Sequence, residues 1–159
     1  MKTVRLEHDY AASAKEVWAL ATDLDALREI MDGLVTVEGL PSGRVYQGQK
    51  IDVQVSLFGR LPPQPFSMEV LVCDDDAMLL RSVETGAGVK SWRHTLTVEP
   101  QLSGSRLSDV IEIDAGWMSW AFALWARFLY RKRHEPRVRM LADMQAKRSA
   151  RELSNSASP

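Results

Sequence analysis

The stretch GWMSWAFALWARFLYRKR, residues 116–133, decides how the chain folds. Trp117, Trp120, Ala121, Leu124 and Phe128 recur at helical spacing and form one stripe. Met118, Phe122, Trp125 and Leu129 fill much of the remaining circumference. A helix apolar over so wide an arc is buried on several sides, or touches something apolar beyond its own sheet. The apolar run Ala115–Tyr130 has 16 residues and contains Arg127, too short for an ordinary membrane span. Downstream, Pro136 has no N–H to donate to the Lys132 carbonyl, which predicts a bend or break by that point. Keeping the helix straight there would cost about 3 kcal/mol. Val138, Leu141 and Met144 resume an apolar stripe, and residues 149–159 read as a flexible polar tail behind one domain spanning 1–148.

Upstream of that helix the period is two. Val4, Leu6, His8 and Tyr10 alternate with charged residues as a half-buried strand. Ser13 and Glu16 form a capping box in front of Val17, Trp18 and Leu20. Asp23 caps a second short helix carrying Leu24, Leu27 and Met31, with Gly33 as its stop. Six further strands follow: 34–40, 49–58, 66–72, 78–85, 89–99 and 106–115. Turn-forming residues separate them at hairpin spacing, which predicts one continuous antiparallel sheet. The expected fold is therefore α+β: a curved seven-stranded antiparallel sheet wrapped around the long C-terminal helix, with two short helices after the first strand. Such a wrap leaves room for a ligand cavity between sheet and helix.

Composition excludes several classes. The 159 residues suit one domain, and 45% hydrophobic with 26% charged residues is ordinary for a globular chain. One cysteine, Cys73, excludes a disulfide framework, and three scattered histidines give no local metal motif. The Asp74-Asp75-Asp76 turn lacks the spacing and closing glutamate of a calcium loop. Gly86-Ala87-Gly88 joins two strands and lacks the lysine of a phosphate loop. No metal, cofactor or nucleic-acid partner is expected. The first residues carry no apolar leader, so a cytoplasmic location is expected. Residues 127–159 carry a net charge of +6 and the rest −7. The basic end reads as a solvated complement to its helix dipole and to the acidic body.

Strand parity supplies the candidate site. The inward faces place Val53 and Val55, then Phe66, Met68 and Val70, then Leu80, then Trp92 and His94, then Ile111 around the cavity. Trp120 and Leu124 are expected to face them from the helix. His94 can orient a ligand oxygen or serve as a general acid or base. Since its strand face is apolar, a His94→Phe change is expected to keep the fold. Asp109 shares the inward parity of Leu107 and Ile111, and a buried carboxylate must be paired or carry a raised pKa. Glu84 is a third candidate acid, near a strand end. The null for all three is satisfied core polarity, and for the tryptophans plain core packing.

The segment Tyr10-Ala-Ala-Ser-Ala-Lys-Glu-Val-Trp18, a strand end followed by a cap and a Val-Trp pair, resembles the START/SRPBCC superfamily. The strand count and the 131–141 stretch also fit. The pattern is nearest to its polyketide cyclase/dehydrase-like and lipid-transport-like branch, over residues 2 to 148. Many relatives carry Pro where this chain has Ser13 or Ala14, a small difference because Ser13 caps the helix equally well. The resemblance implies a helix-grip fold, as in the birch pollen allergen, and a deep apolar cavity, but no universal catalytic set. The first functional expectation is binding of a hydrophobic small molecule, lipid-like, polyketide-like or aromatic. The alternative is a cyclase or dehydratase using His94 with Asp109 or Glu84. A third is a peripheral membrane or partner-binding module working through the aromatic helix and its basic end, with burial of that helix under the sheet preferred.

Overall fold

A computed structural model of the chain describes residues 1–156. It opens with strand β1 (Lys2–Tyr10), helix α1 (Ala14–Ala21) and helix α2 (Leu24–Ile30). Strands β2 (Val35–Glu38), β3 (Lys50–Leu57), β4 (Gln64–Asp74), β5 (Leu79–Gly86), β6 (Val89–Gln101) and β7 (Gly104–Asp114) follow. Helices α3 (Ser119–Lys132) and α4 (His134–Ser156) complete it, with one 3-10 turn at Gly116–Met118 before α3. The seven strands form a single antiparallel sheet in the order β1-β7-β6-β5-β4-β3-β2. All strands from β2 onward are joined to their sequence neighbours, and β1 closes onto β7 at the far edge. The fold is the helix-grip type, with a curled sheet against a C-terminal helical segment.

Local chemistry sets the ends of the early helices. The Ser13 hydroxyl accepts from the Glu16 N–H, and the Glu16 carboxylate accepts from the Ser13 N–H at 2.9 Å, the reciprocal capping box. The Asp23 carboxylate accepts from the Asp25 and Ala26 amides at the start of α2. The three-aspartate turn is also structural. Asp74 accepts from the Asp76 and Ala77 amides, each at 2.9 Å. Asp75 accepts from Trp18 Nε1 and pairs with Arg44, both at 2.8 Å, tying the β4–β5 turn to α1.

One reading of the sheet changes. A β-bulge between Val70 and Val72 leaves Leu71 exposed and reverses the alternation beyond it. Cys73, not Val72, then packs against the core. The helical segment breaks at Arg133, three residues before Pro136, so Pro136 sits in the first turn of α4, where its missing N–H costs little. Residues 149–156, expected as a tail, continue α4. Arg148 on that helix reaches Glu16 Oε1 at 2.7 Å.

The larger correction concerns which face of α3 is inside. Ala126 is fully buried, and Leu129 and Tyr130 are buried with it. They pack with Val4 of β1 and Ile111 and Ile113 of β7. The small Ala126 lets the helix backbone approach the sheet closely. The stripe expected to be inside points out instead: Trp117 is 82% exposed, Trp120 56% and Leu124 60%. Both faces of α3 are apolar, so packing rather than amphipathicity chose between them.

Candidate functional site

A cavity of about 570 Å³ lies between the inner sheet face, α2 and the α3–α4 segment. That is within the usual range for small-molecule sites, roughly 300–1,000 Å³. Its sheet wall is built by strand alternation. Val53 and Val55 on β3, Phe66, Met68 and Val70 on β4, Leu80 on β5 and Trp92 on β6 all line it, on the side that parity assigned to them. Ile111 does not line it: the residue is fully buried beneath, packed in the core. Trp120 and Leu124 do not line it either, because they face solvent. The helical wall comes from Met118, Phe122, Trp125, Leu129 and Tyr130.

The cavity is not closed. Leu61, Pro62, Gln64 and Met118 line it and are exposed, so its mouth lies between the β3–β4 connection and the start of α3. Phe58 stands edge-on to Trp125, with ring centroids 5.4 Å apart, beside this opening. The β5–β6 turn forms the other lip, where Gly88 lies against the Phe122 ring. Gly86 in that turn (φ +110°) approaches the Pro65 carbonyl so closely that a Cβ would collide with backbone.

Polar groups collect at one region of the wall. His94 on β6 sits opposite Ile111 on β7, and Asp109 lies two residues along the same face. The imidazole Nε2 and Asp109 Oδ1 are 2.7 Å apart, and Asp109 has no exposed surface (0%). Burial disfavours the Asp109 carboxylate. The His94 hydrogen bond and the nearby charges of Arg137 and Arg133 outweigh that and hold its pKa below the usual carboxylate range. With Nε2–H donating to this carboxylate, Nδ1 is the ring atom left for a ligand. The surroundings of His94 are therefore not apolar, and the expectation that Phe would be tolerated there fails on Asp109.

Glu84 lies on β5 with Ser82, whose hydroxyl donates to Glu84 Oε1 at 3.0 Å. Ser82 faces His94 across the strand pair, and Glu84 faces Trp92. Glu84 keeps some accessible surface, but it lines the cavity and is surrounded by protein. Burial pushes its carboxyl above the ordinary range, against smaller opposing effects of His94, Ser82 and Arg133. His94 thus has Asp109 bonded to it behind the wall and Glu84 near it on the wall.

Sequence reasoning missed Tyr130, Arg133 and Arg137. Tyr130 stands edge-on to His94 at 5.2 Å, and the Arg133 guanidinium lies over the Tyr130 ring at 4.0 Å. Burial pushes the Tyr130 phenol up. Arg133 and Arg137 both line the cavity. The signal for them was spacing: Ala126, Tyr130, Arg133, Arg137 and Leu141 recur every three or four residues, one buried stripe through the helix break. Among the described residues no cluster of three or more His, Cys, Asp or Glu is placed to hold a metal ion. No helix among them is long and apolar enough to cross a membrane.

A curled antiparallel sheet gripping a C-terminal helix over an apolar cavity with a few convergent polar groups defines a class of small-molecule-site proteins. The chain belongs to the polyketide cyclase / dehydrase and lipid transport family, whose model matches residues 1–144. No curated protein matches it. Among solved structures it is similar to protein CV1439 from Chromobacterium violaceum, at 18% identity and a TM-score of 0.68, covering 88% of this chain and 97% of that one. It is similar to norcoclaurine synthase from Thalictrum flavum in complex with dopamine and hydroxybenzaldehyde, at 15% identity and a TM-score of 0.63, covering 89% and 87%. Ara h 8.0201 superposes at a TM-score of 0.71 and 8% identity, covering 89% and 98%. At these identities the likeness is one of fold.

Proposed function

We propose that the protein binds a hydrophobic small molecule in the cavity between its sheet and the α3–α4 segment. The observation that carries the reading is the cavity itself: about 570 Å³, walled by valine, leucine, methionine and aromatic side chains, with polar groups confined to one region. A domain that only needed a core would close such a space, because unfilled volume forfeits packing. Family membership supports the reading. The test uses N-phenyl-1-naphthylamine, an uncharged apolar fluorophore. Its emission should rise on binding the native protein, and a Val55→Trp change, which directs bulk into the cavity, should abolish the rise without unfolding the chain. Equal fluorescence with both proteins counts against the cavity as the site. Native mass spectrometry of the purified protein then weighs any ligand carried through purification.

The His94–Asp109 pair favours a second reading, a cyclase or dehydratase. In it, Asp109 holds the imidazole with Nδ1 facing substrate as base, while Glu84, whose pKa burial raises, is the acid. For dehydration of a β-hydroxy ketone, His94 would take the α proton and the β-hydroxyl would leave as water with the Glu84 proton. A Glu84→Gln variant should then lose at least about 100-fold in rate while still binding the fluorophore. Retained turnover would remove this reading.

The outer face of α3 supports membrane contact as a companion of ligand binding. Trp117, Trp120, Leu124 and Phe128 are exposed beside the cavity mouth, Arg127, Arg131 and Lys132 flank them, and no acidic residue lies between Ala115 and His134. An apolar face with a basic border suits an anionic lipid surface. Cosedimentation with phosphatidylglycerol vesicles, and its loss in a Trp117→Ser/Trp120→Ser variant, is the expected result. No binding by the unaltered protein refutes it.

A further inference from the structure

We propose that the polar region of the cavity is an anion subsite, in which Arg137 with Arg133 receives the carboxylate of an amphipathic ligand whose apolar body fills the rest. The proposal deepens the hydrophobic-ligand reading and rests on it. Arg137 is only 3% exposed, yet it lines the cavity and its Nε and Nη1 have no hydrogen-bond partner in the protein. Arg133, one helical turn earlier, also lines the cavity and leaves Nε unpartnered. Neither arginine forms an ion pair among the described residues. Asp109 acts on both guanidiniums through its charge but hydrogen-bonds to neither, and buried donors left unpaired are costly.

The surrounding groups favour an anion as that partner. Two carboxylates lie near: Glu84 lines the cavity, and Asp109 is fully buried behind the wall. Asp109 Oδ1 is hydrogen-bonded to His94, and Oδ2 has no hydrogen-bond partner. Glu84 is driven by burial toward its neutral form and is held by Ser82. Neither carboxylate is hydrogen-bonded to Arg133 or Arg137, so both guanidiniums keep donors for a further negative group. The Tyr10 hydroxyl lies beside Arg137, at the same polar region. A guanidinium fork matches a carboxylate in a bidentate arrangement. The long apolar wall leading from this region to the mouth fits a chain or fused rings.

The test compares decanoate with decan-1-ol, which share one apolar chain and differ in the head. A purely apolar cavity would prefer the alcohol, because a carboxylate is far more costly to desolvate. Binding of each is measured by calorimetry at neutral pH, with N-phenyl-1-naphthylamine fluorescence in parallel as an uncharged report on the cavity. The native protein should bind decanoate more tightly than decan-1-ol. Arg137→Met should weaken decanoate by at least about tenfold, the scale of one lost charge-assisted hydrogen bond, and leave decan-1-ol and the fluorophore within about twofold. Arg137→Lys should keep most of the preference. If Arg137→Met does not fold, Arg133→Met, at a half-buried position, should show the same selective loss. Preference of the native protein for the alcohol, or equal loss of both ligands in a folded variant, overturns the subsite. Fluorophore binding without decanoate preference leaves the cavity reading standing and removes the subsite. Arginine-dependent decanoate binding without fluorophore binding supports both and restricts the cavity to ligands with an acidic head. If nothing binds, both fall.

Discussion

Replacing His94 by phenylalanine removes the hydrogen bond that Asp109 makes and leaves its carboxylate fully buried. Oδ2 has no partner in the protein already, so the variant would strand both oxygens. Breaking a buried charge pair by deleting one member typically costs about 3–5 kcal/mol. Against a domain stability of about 5–15 kcal/mol that is a large fraction. In a chain of this length it corresponds to a fall in Tm of about 6–20 °C. The double change His94→Phe/Asp109→Leu removes both partners and fills similar volume with apolar atoms. It should recover most of the loss, because replacing a whole buried pair is often nearly neutral. The assay is guanidinium unfolding followed by tryptophan emission, with scanning calorimetry for Tm, on the native protein, both single variants and the double.

The pH dependence has a fixed sign. The folded Asp109 pKa lies below the usual carboxylate value. Its contribution is therefore present above the unfolded pKa, near 3.9, and is lost as pH falls through the lower folded value. Without His94 the same carboxyl keeps the burial penalty and loses the bond, so its pKa rises. The gap between native and His94→Phe proteins should be widest at neutral pH and narrow on acidification. A single variant within about 1 kcal/mol of the native protein at neutral pH refutes the reasoning. So does a double variant no more stable than His94→Phe.

Glu84, with its folded pKa raised by burial, should work in the opposite sense: its contribution is lost as pH climbs above the ordinary glutamate range through the folded value, at about 1.4 kcal/mol per unit of displacement. A Glu84→Gln variant should show a flatter stability profile over that window in denaturation at several pH values, and an unchanged slope would count against it. Gly86→Ala puts a Cβ against the Pro65 carbonyl at φ +110° and should cost on the order of 1–3 kcal/mol in chemical denaturation, whereas a silent variant would mean the turn is looser than described. On α3, Trp117→Ser should change stability by no more than about 0.5 kcal/mol, and Ala126→Leu, at a fully buried site, should cost about 1–3 kcal/mol. The reverse order in thermal melts would put the other face of the helix inside.

Strand parity was readable because each strand buries one face. β7 shows why: Ser105, Leu107, Asp109, Ile111 and Ile113 are buried and every residue between them is half-buried. That strict alternation placed His94 and Asp109 on one side of the sheet, and adjacent strands brought them to 2.7 Å. Two features break such a reading without leaving a mark in the pattern. A bulge shifts parity by one residue, as between Val70 and Val72, where the run from Val70 to Cys73 is apolar throughout and does not signal the slip. Depth is the other. Ile111 has the parity of a cavity wall, yet it packs under α3, because β7, next to the edge strand β1, is covered by the helix while β3, β4 and β5 run out from under it.

The helical half resisted reading for a different reason. Amphipathicity orients a helix only when one face is worse than the other in a core, and α3 offers two acceptable faces. What decided the outcome was close approach: Ala126 allows the helix onto β1 and β7, where a stripe through Trp120 and Leu124 would hold it away. Once Ala126 is inside, helical geometry carries Tyr130, Arg133, Arg137 and Leu141 inward in turn. Two arginines that charge counting assigns to a solvated basic end are thereby drawn into the cavity wall. The break at Arg133 keeps them there, since Pro136 needs only the first turn of a new helix. The polar region of the cavity thus has one origin, a helical stripe that leaves the core at Ala126 and reaches the cavity wall as Tyr130, Arg133 and Arg137.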